Sequence, residues 1–258
     1  LIYWPIFLMA LDLPLPKTIL VHNWIMMKDG KMSKSKGNVI YPETLIDRYG
    51  LDPTRYFLLR EMPVNQDGIF SPEAFVERYN FDLCNDLSNL LNRTVSMVNK
   101  YFEGKVPEYN GTPNAVDKEL EDYATEKIKK FEEKLNEYEI ANALQEIWDL
   151  IARTNKYIDE TMPWALAKEE KTEELKSAMY HLIENLRKIA ILIKPFMTDT
   201  ANNMLKQIGI TDVDKIRWDD IYVYDMLKDI KVIEKGEPIF MRLKVEEEVE
   251  YLKSVMKK

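Results

Sequence analysis

Apolar positions along the chain change their period near residue 81. Beyond it Leu83, Leu87, Leu90, Leu91, Val95 and Val98 recur at three- and four-residue spacings. On a helix of 3.6 residues per turn such spacing draws one apolar stripe. A Gly/Pro/Asn loop over 104–114 ends that helix. Further helices are predicted at about 115–136, 138–160, 163–168, 172–193 and 195–208, divided by turn or proline signals. Amphipathic helices of this length joined by short turns bury their stripes against one another. Residues 81–208 therefore read as an antiparallel helix bundle of four or five members.

Before residue 81 the elements are short. Leu1 to Leu11 reads as the end of a buried helix stopped by Pro14 and Pro16, and Thr18 to Trp24 as a β-branched and aromatic strand. Asp29-Gly30 marks a tight turn inside a hairpin. Pro42 to Tyr49 and Pro53 to Glu61 are predicted helices with proline near the first turn, and Ser71 is placed to cap another opened by Pro72. After the bundle, Asp212 to Val232 loses the helical period, Pro238 to Leu243 reads as extended, and Glu246 to Lys257 as a charged helix.

With 258 residues, 46% of them apolar, the chain has material for two domains and a real core. No uninterrupted apolar run reaches the roughly 18 residues of a membrane span. Cys84 is the one cysteine, and His22 and His181 are the two histidines, which excludes a disulfide framework and a cysteine-built zinc site. That usage, without a secretory pattern, suits a reducing, cytoplasmic compartment. Eight glycines and abundant Lys, Glu and Leu favour helix over sheet.

Net charge is −8, which argues against nucleic-acid binding by bulk charge. The charge is unevenly spread. Residues 1–60 hold eight Lys and Arg against five Asp and Glu, whereas the rest hold 28 against 39. Lys28, Lys31, Lys34 and Lys36 fall within nine residues. The stretch Lys31-Met32-Ser33-Lys34-Ser35-Lys36-Gly37-Asn38 sets two lysines three apart with hydroxyls between them, which suits gripping a polyphosphate. Gly37 permits a tight backbone and Asn38 is placed to cap the next turn, while Met32 reads as a packing anchor. Such a loop would stabilise charge growing on a pyrophosphate leaving group. By composition alone a flexible basic surface loop accounts for it as well.

KMSKS followed by KGN resembles the second signature of class I aminoacyl-tRNA synthetases. Its flanks narrow the likeness. Tyr3-Trp4-Pro5, Leu11-Asp12-Leu13-Pro14-Leu15-Pro16, Val21-His22-Asn23-Trp24, Tyr56-Phe57-Leu58-Leu59-Arg60-Glu61, Gln66-Asp67-Gly68 and Phe70-Ser71 are similar to the methionine-specific branch of that class. The resemblance runs over nearly the whole chain, weakest after about residue 205. It implies a mainly α chain: the end of a Rossmann-type catalytic domain (1–24), a small KMSKS/stem-contact segment (25–78), an antiparallel anticodon-binding helix bundle (79–211) and a C-terminal extension (212–258). A HIGH-type tetrapeptide, the family's first signature, is absent from these residues, as is the connective insertion that in many members holds zinc. The chain thus resembles the C-terminal part of such an enzyme, and no activity is expected of it alone.

The resemblance further implies that Lys31 and Lys34 contact ATP phosphates, Lys34 stabilising the transition state of adenylate formation, the alternative being simple surface lysines; Ser33 and Ser35 either bind ATP phosphates as well or only shape the loop. Trp4 corresponds to an aromatic of the methionine pocket, and thioether–aromatic contact is favourable. A tryptophan packed in the core is the bland reading. His22 and Trp24 fall near the adenosine side by position, with a satisfied core histidine as the alternative for His22. Asn89 and Arg93 lie four apart and so share a helix face distinct from the leucine stripe, near the surface. With Trp164, at the start of a helix after Met162-Pro163, they match the family's anticodon readers; an exposed polar pair and a core tryptophan are the alternatives. The implied function is methionine–tRNA ligation, with ATP carried with Mg2+ as substrate, L-methionine, and tRNA(Met) including the initiator form. No metal site and no membrane partner are expected in this stretch. The rival reading is a non-catalytic helical RNA-binding or assembly module.

Overall fold

The computed structural model describes residues 2–64, 66–111 and 113–256. It is mainly helical with one small sheet. Helix α1 (Tyr3–Ala10) is followed by chain without regular secondary structure to Trp24. Three short strands, β1 (Ile25–Met27), β2 (Gly30–Lys31) and β3 (Gly68–Phe70), pair in the order β2-β1-β3. β1 runs antiparallel to β2 and parallel to β3, with Met27 opposite both Gly30 and Phe70. Helices α2 (Pro42–Tyr49) and α3 (Leu51–Glu61) form the crossover that a parallel pair requires.

Two sequence expectations for this region are corrected. The strand lies at Ile25–Met27 rather than Thr18–Trp24. In the stretch 18–24 only Trp24 is tied to the sheet's edge, accepting from Gly68 N–H at 3.0 Å and donating its own N–H to Asp67 at 2.9 Å. β propensity does not make a strand without a ladder partner. The N-terminal helix exists, but none of its described residues is buried. It is apolar on every side yet mostly exposed, although such a helix ordinarily lies in a core. Leu1 lies outside the described residues.

The helices predicted at Ser71 and from Phe81 are one rod. α4 (Pro72–Arg78) passes through widened π turns over Tyr79–Ser88 into α5 (Asn89–Phe102) with helical dihedrals at both junctions. Ser71 caps its start, accepting from Ala74 N–H at 3.2 Å. Leu83, Leu87, Leu90, Leu91, Val95 and Val98 are all fully buried, as their spacing demands. The bundle continues with α6 (Ala115–Asn136), α7 (Ile140–Thr161), α8 (Pro163–Lys168), α9 (Thr172–Ile193) and α10 (Thr198–Gln207). α9 is its axis, buried continuously from Ser177 to Ile193.

α3 joins the sheet to the bundle. The Tyr56 ring stacks on Trp148 of α7 with centroids 4.2 Å apart. Asp52 accepts the Thr200 N–H at 2.7 Å, capping the first turn of α10 from a distant segment. After the bundle the chain returns. α11 (Val245–Met256) packs on α4, and Glu248 receives a two-pronged hydrogen bond from Arg48 at 2.7 and 2.9 Å. Lys257, assigned to this helix from the sequence, lies outside the described residues.

Candidate functional site

The β1–β2 hairpin delivers residues 31–38 to the surface. Gly30, at φ +111°, closes its turn, and Lys34–Lys36 form a single 3-10 turn ended by Gly37 at φ +64°. Lys31, Lys34 and Lys36 are exposed and make no ion pair among the described residues. The Lys31 ammonium lies 5.0 Å from the centre of the Trp24 ring, a cation–π distance. Ser33 and Ser35 hydroxyls are 2.8 Å apart, and Met32 packs half-buried against the core. Three ammonium groups beside two hydroxyls make a cationic surface, chemically suited to an anion, in an otherwise acidic chain.

Asn38 departs from its expected role. It stands four residues before Pro42, too early to cap α2, whose N-cap is Tyr41 without a side-chain bond. Instead it reaches back. Only 8% exposed, it accepts the Ser33 N–H at 2.8 Å and donates to the Asp29 carboxylate at 3.0 and 3.2 Å.

Trp4, assigned to a methionine pocket, is 55% exposed on α1, and no hydrogen bond or ring contact joins it to the loop among the described residues. His22 is exposed and hydrogen-bonds to the Asn23 carbonyl.

On the bundle, Asn89 is exposed at the first turn of α5. One turn on, Arg93 sits 3.5 Å from Asp159 of α7. Asp159 lies two residues before the end of α7; Met162 then turns the chain through a left-handed φ of 44°, and Trp164 opens α8 at 47% exposure. Trp164 is thus a surface ring rather than a core one. Asn89 also borders a groove of about 520 Å³ lined by Asn85, Ser88, Asn92 and Arg242. Sequence reading missed this groove. The signal for its asparagines was a stripe at i, i+4 and i+7, but Arg242 arrives from a segment 150 residues away.

A second polar cluster looks catalytic and is not. His181 lies 3.3 Å from the Ser177 hydroxyl and 3.0 Å from Glu121, the order of a hydrolase triad. Ser177 and His181 are both fully buried, and Ser177 donates its proton to Asp117 at 2.7 Å, where Tyr157 also donates at 2.5 Å. No substrate reaches it. Farther along α9, buried Glu184 takes two hydrogen bonds from Arg187, whose remaining donors hold the Asp220 and Val223 carbonyls. Among the described residues no cluster of three metal-ligating side chains occurs, and no helix is long and apolar enough to cross a membrane.

Family comparison completes the picture. A model described as class I tRNA synthetases (M) matches residues 1–95, and one described as the anticodon-binding domain of methionyl tRNA ligase matches 106–256. The chain belongs to the methionyl-tRNA ligase family. The methionine–tRNA ligase of Bacillus subtilis is 57% identical over 256 residues, and that of Listeria innocua 55% over 258. Each match covers 99% of this chain but only 38% and 39% of those ligases, so the chain spans under two-fifths of their length. Among solved structures, Mycobacterium tuberculosis methionyl-tRNA synthetase in complex with methionyl-adenylate superposes with a TM-score of 0.85 at 34% identity, covering 93% of this chain and 47% of that one.

Proposed function

We propose that this chain is the portion of a methionine–tRNA ligase that supplies the KMSKS loop and the anticodon-reading bundle. The whole enzyme would activate L-methionine with ATP, carried with Mg2+, and esterify tRNA(Met), the initiator form included. The observation that carries this reading is the exposed lysine loop, without an ion pair among the described residues, within the stretch the class I synthetase family model covers.

Adenylate formation is attack of the methionine carboxylate on the ATP α-phosphate, with pyrophosphate leaving. Charge accumulates on that leaving group, and groups aimed at it lower the barrier by stabilising charge as it develops. Lys34 and Lys31 would supply the ammonium groups, and Ser33 and Ser35 hydrogen bonds to phosphate oxygens. Trp4 would face the methionine side chain from α1. At the far end, Trp164 would stack on one unpaired anticodon base while Asn89 and Arg93 read base edges. The acidic bundle offers no general attraction for RNA, so affinity there rests on these specific contacts. With neither a HIGH-type tetrapeptide nor most of the relatives' length, the chain alone would bind ATP weakly and activate nothing.

The test is a hybrid in which this chain replaces the matching segment of the Bacillus subtilis ligase. It should catalyse ATP–pyrophosphate exchange and charge tRNA(Met). A folded hybrid without exchange would contradict the reading.

A further inference from the structure

The loop carries three exposed ammonium groups within six residues, which repel one another and favour an open, irregular chain. The structure nevertheless holds it in one defined turn, closed by the Lys36 N–H on the Ser33 carbonyl and the Gly37 N–H on the Lys34 carbonyl, and the side-chain hydrogen bonds that tie this turn to the hairpin converge on Asn38. Asn38 has one acceptor oxygen and two donor hydrogens. The oxygen takes the Ser33 N–H at 2.8 Å. The amide nitrogen faces both Asp29 carboxylate oxygens, at 3.0 and 3.2 Å, and the Lys31 carbonyl at 3.4 Å. One nearly buried side chain therefore ties the start of the loop to its end. Asp29 in turn sits in the hairpin turn, whose position is fixed by the Met27–Gly30 pairing and, through β1, by β3.

We propose that Asn38, anchored by Asp29, is the positioning residue of the lysine loop: it fixes the loop shape in which Lys31 and Lys34 meet the ATP phosphates. This deepens the ligase reading and rests on it. Asn38 touches no reacting atom; its role is to transmit the rigidity of the hairpin to the Ser33 backbone and hence to the lysines on either side.

The chemistry of the pair provides a reversible test. Asn38→Asp keeps the size and the acceptor but loses both donors and sets a carboxylate against Asp29. Adding Asp29→Asn restores the contact with donor and acceptor exchanged. In the Bacillus subtilis hybrid, Asn38→Asp should slow adenylate formation by about ten- to a hundredfold, as small misplacements of positioned groups do. The KM for methionine should stay unchanged. In the chain itself the Ser33 amide should exchange with solvent at least about tenfold faster, since its acceptor is no longer held. The double variant should recover most of both losses, which general damage to the fold would not allow.

An unchanged exchange rate at Ser33, or a freed Ser33 amide with an unchanged adenylation rate, would overturn the proposal, as would a double variant as slow as the single. Inactivity of the unsubstituted hybrid would overturn the ligase reading and this proposal together. An active hybrid indifferent to Asn38 would overturn the proposal alone.

Discussion

The lysine loop and the helix bundle solve opposite problems with charged groups. In the loop the charges are exposed, of one sign and without an ion pair among the described residues, and the Asn38 amide bonds their turn to the hairpin. In the interior of the bundle, charged and polar groups are buried and bonded in detail: Glu184 to Arg187, Asp117 to Tyr157 and Ser177, His181 to Glu121. Charge left unsatisfied in water is available to a ligand; charge satisfied in a core holds the fold. Site-like chemistry in the bundle interior is therefore structural, and the groups proposed to read RNA are the exposed Asn89 and Trp164 with the half-buried Arg93.

That contrast breaks most sharply at Glu184. Glu184→Ala leaves Arg187 and Lys188 as buried cations without their carboxylate and should cost roughly 3–5 kcal/mol of stability. Chemical denaturation of the chain measures it; a loss below about 1 kcal/mol, the size typical of a surface pair, would mean that the buried cluster is not what holds α9. Lys34→Ala should do the reverse. It should leave stability unchanged while raising the adenylation barrier in the hybrid by roughly 2–4 kcal/mol, the scale for one lost charge-stabilising donor. Methionine KM should hold while kcat falls; near-normal pyrophosphate exchange would show that the exposed lysine is not used.

A smaller effect is expected from pH. Burial pushes Lys188 down from 10.5 to about 8, against the opposing pull of Glu184. Its ammonium lies 3.5 Å from the Tyr224 ring centre and 3.9 Å from Glu184. Between those two pKa values the unfolded chain keeps a proton that the folded chain has released. Unfolding then takes up a proton, and stability rises with pH. Above about pH 10 the sign reverses, because tyrosines such as Tyr157, held above their ordinary 10.0 by burial and Asp117, ionise first in the unfolded chain. The rise between about pH 8 and pH 10 should be on the order of 1–3 kcal/mol. Lys188→Met should flatten it, and a rise that survives this substitution would assign it to another group.

Much of the bundle is legible because its signals are local. Asn114 accepts the Asp117 N–H at 3.0 Å and starts α6 where the sequence places it; Pro163 begins α8, and the leucine stripe of the long rod is buried throughout. What stays hidden depends on residues far apart in sequence. The strand shifts from Thr18–Trp24 to Ile25–Met27 because its partner, β3, is over 40 residues away. The apolar N-terminal helix carries no mark of what covers it. In the site, the lysines and serines are visible as a motif. The Asn38–Asp29 contact is not, since only the folded hairpin turn brings position 29 against 38. Arg242 joins the asparagine groove by the same kind of return.

If exposed groups read ligands while buried ones hold the fold, the division must show at Trp164. Binding of a hairpin RNA with a CAU loop, and of single-base variants of that loop, would be measured for the chain and for Trp164→Ala, with a melting curve for each. The substitution should weaken CAU binding by roughly 1–3 kcal/mol, the worth of one stacked base. Discrimination among loops should shrink while the melting temperature stays in place, because the ring is 47% exposed. A large fall in melting temperature with unchanged discrimination would contradict it, showing Trp164 to be a packing residue and the bundle's reading face to lie elsewhere.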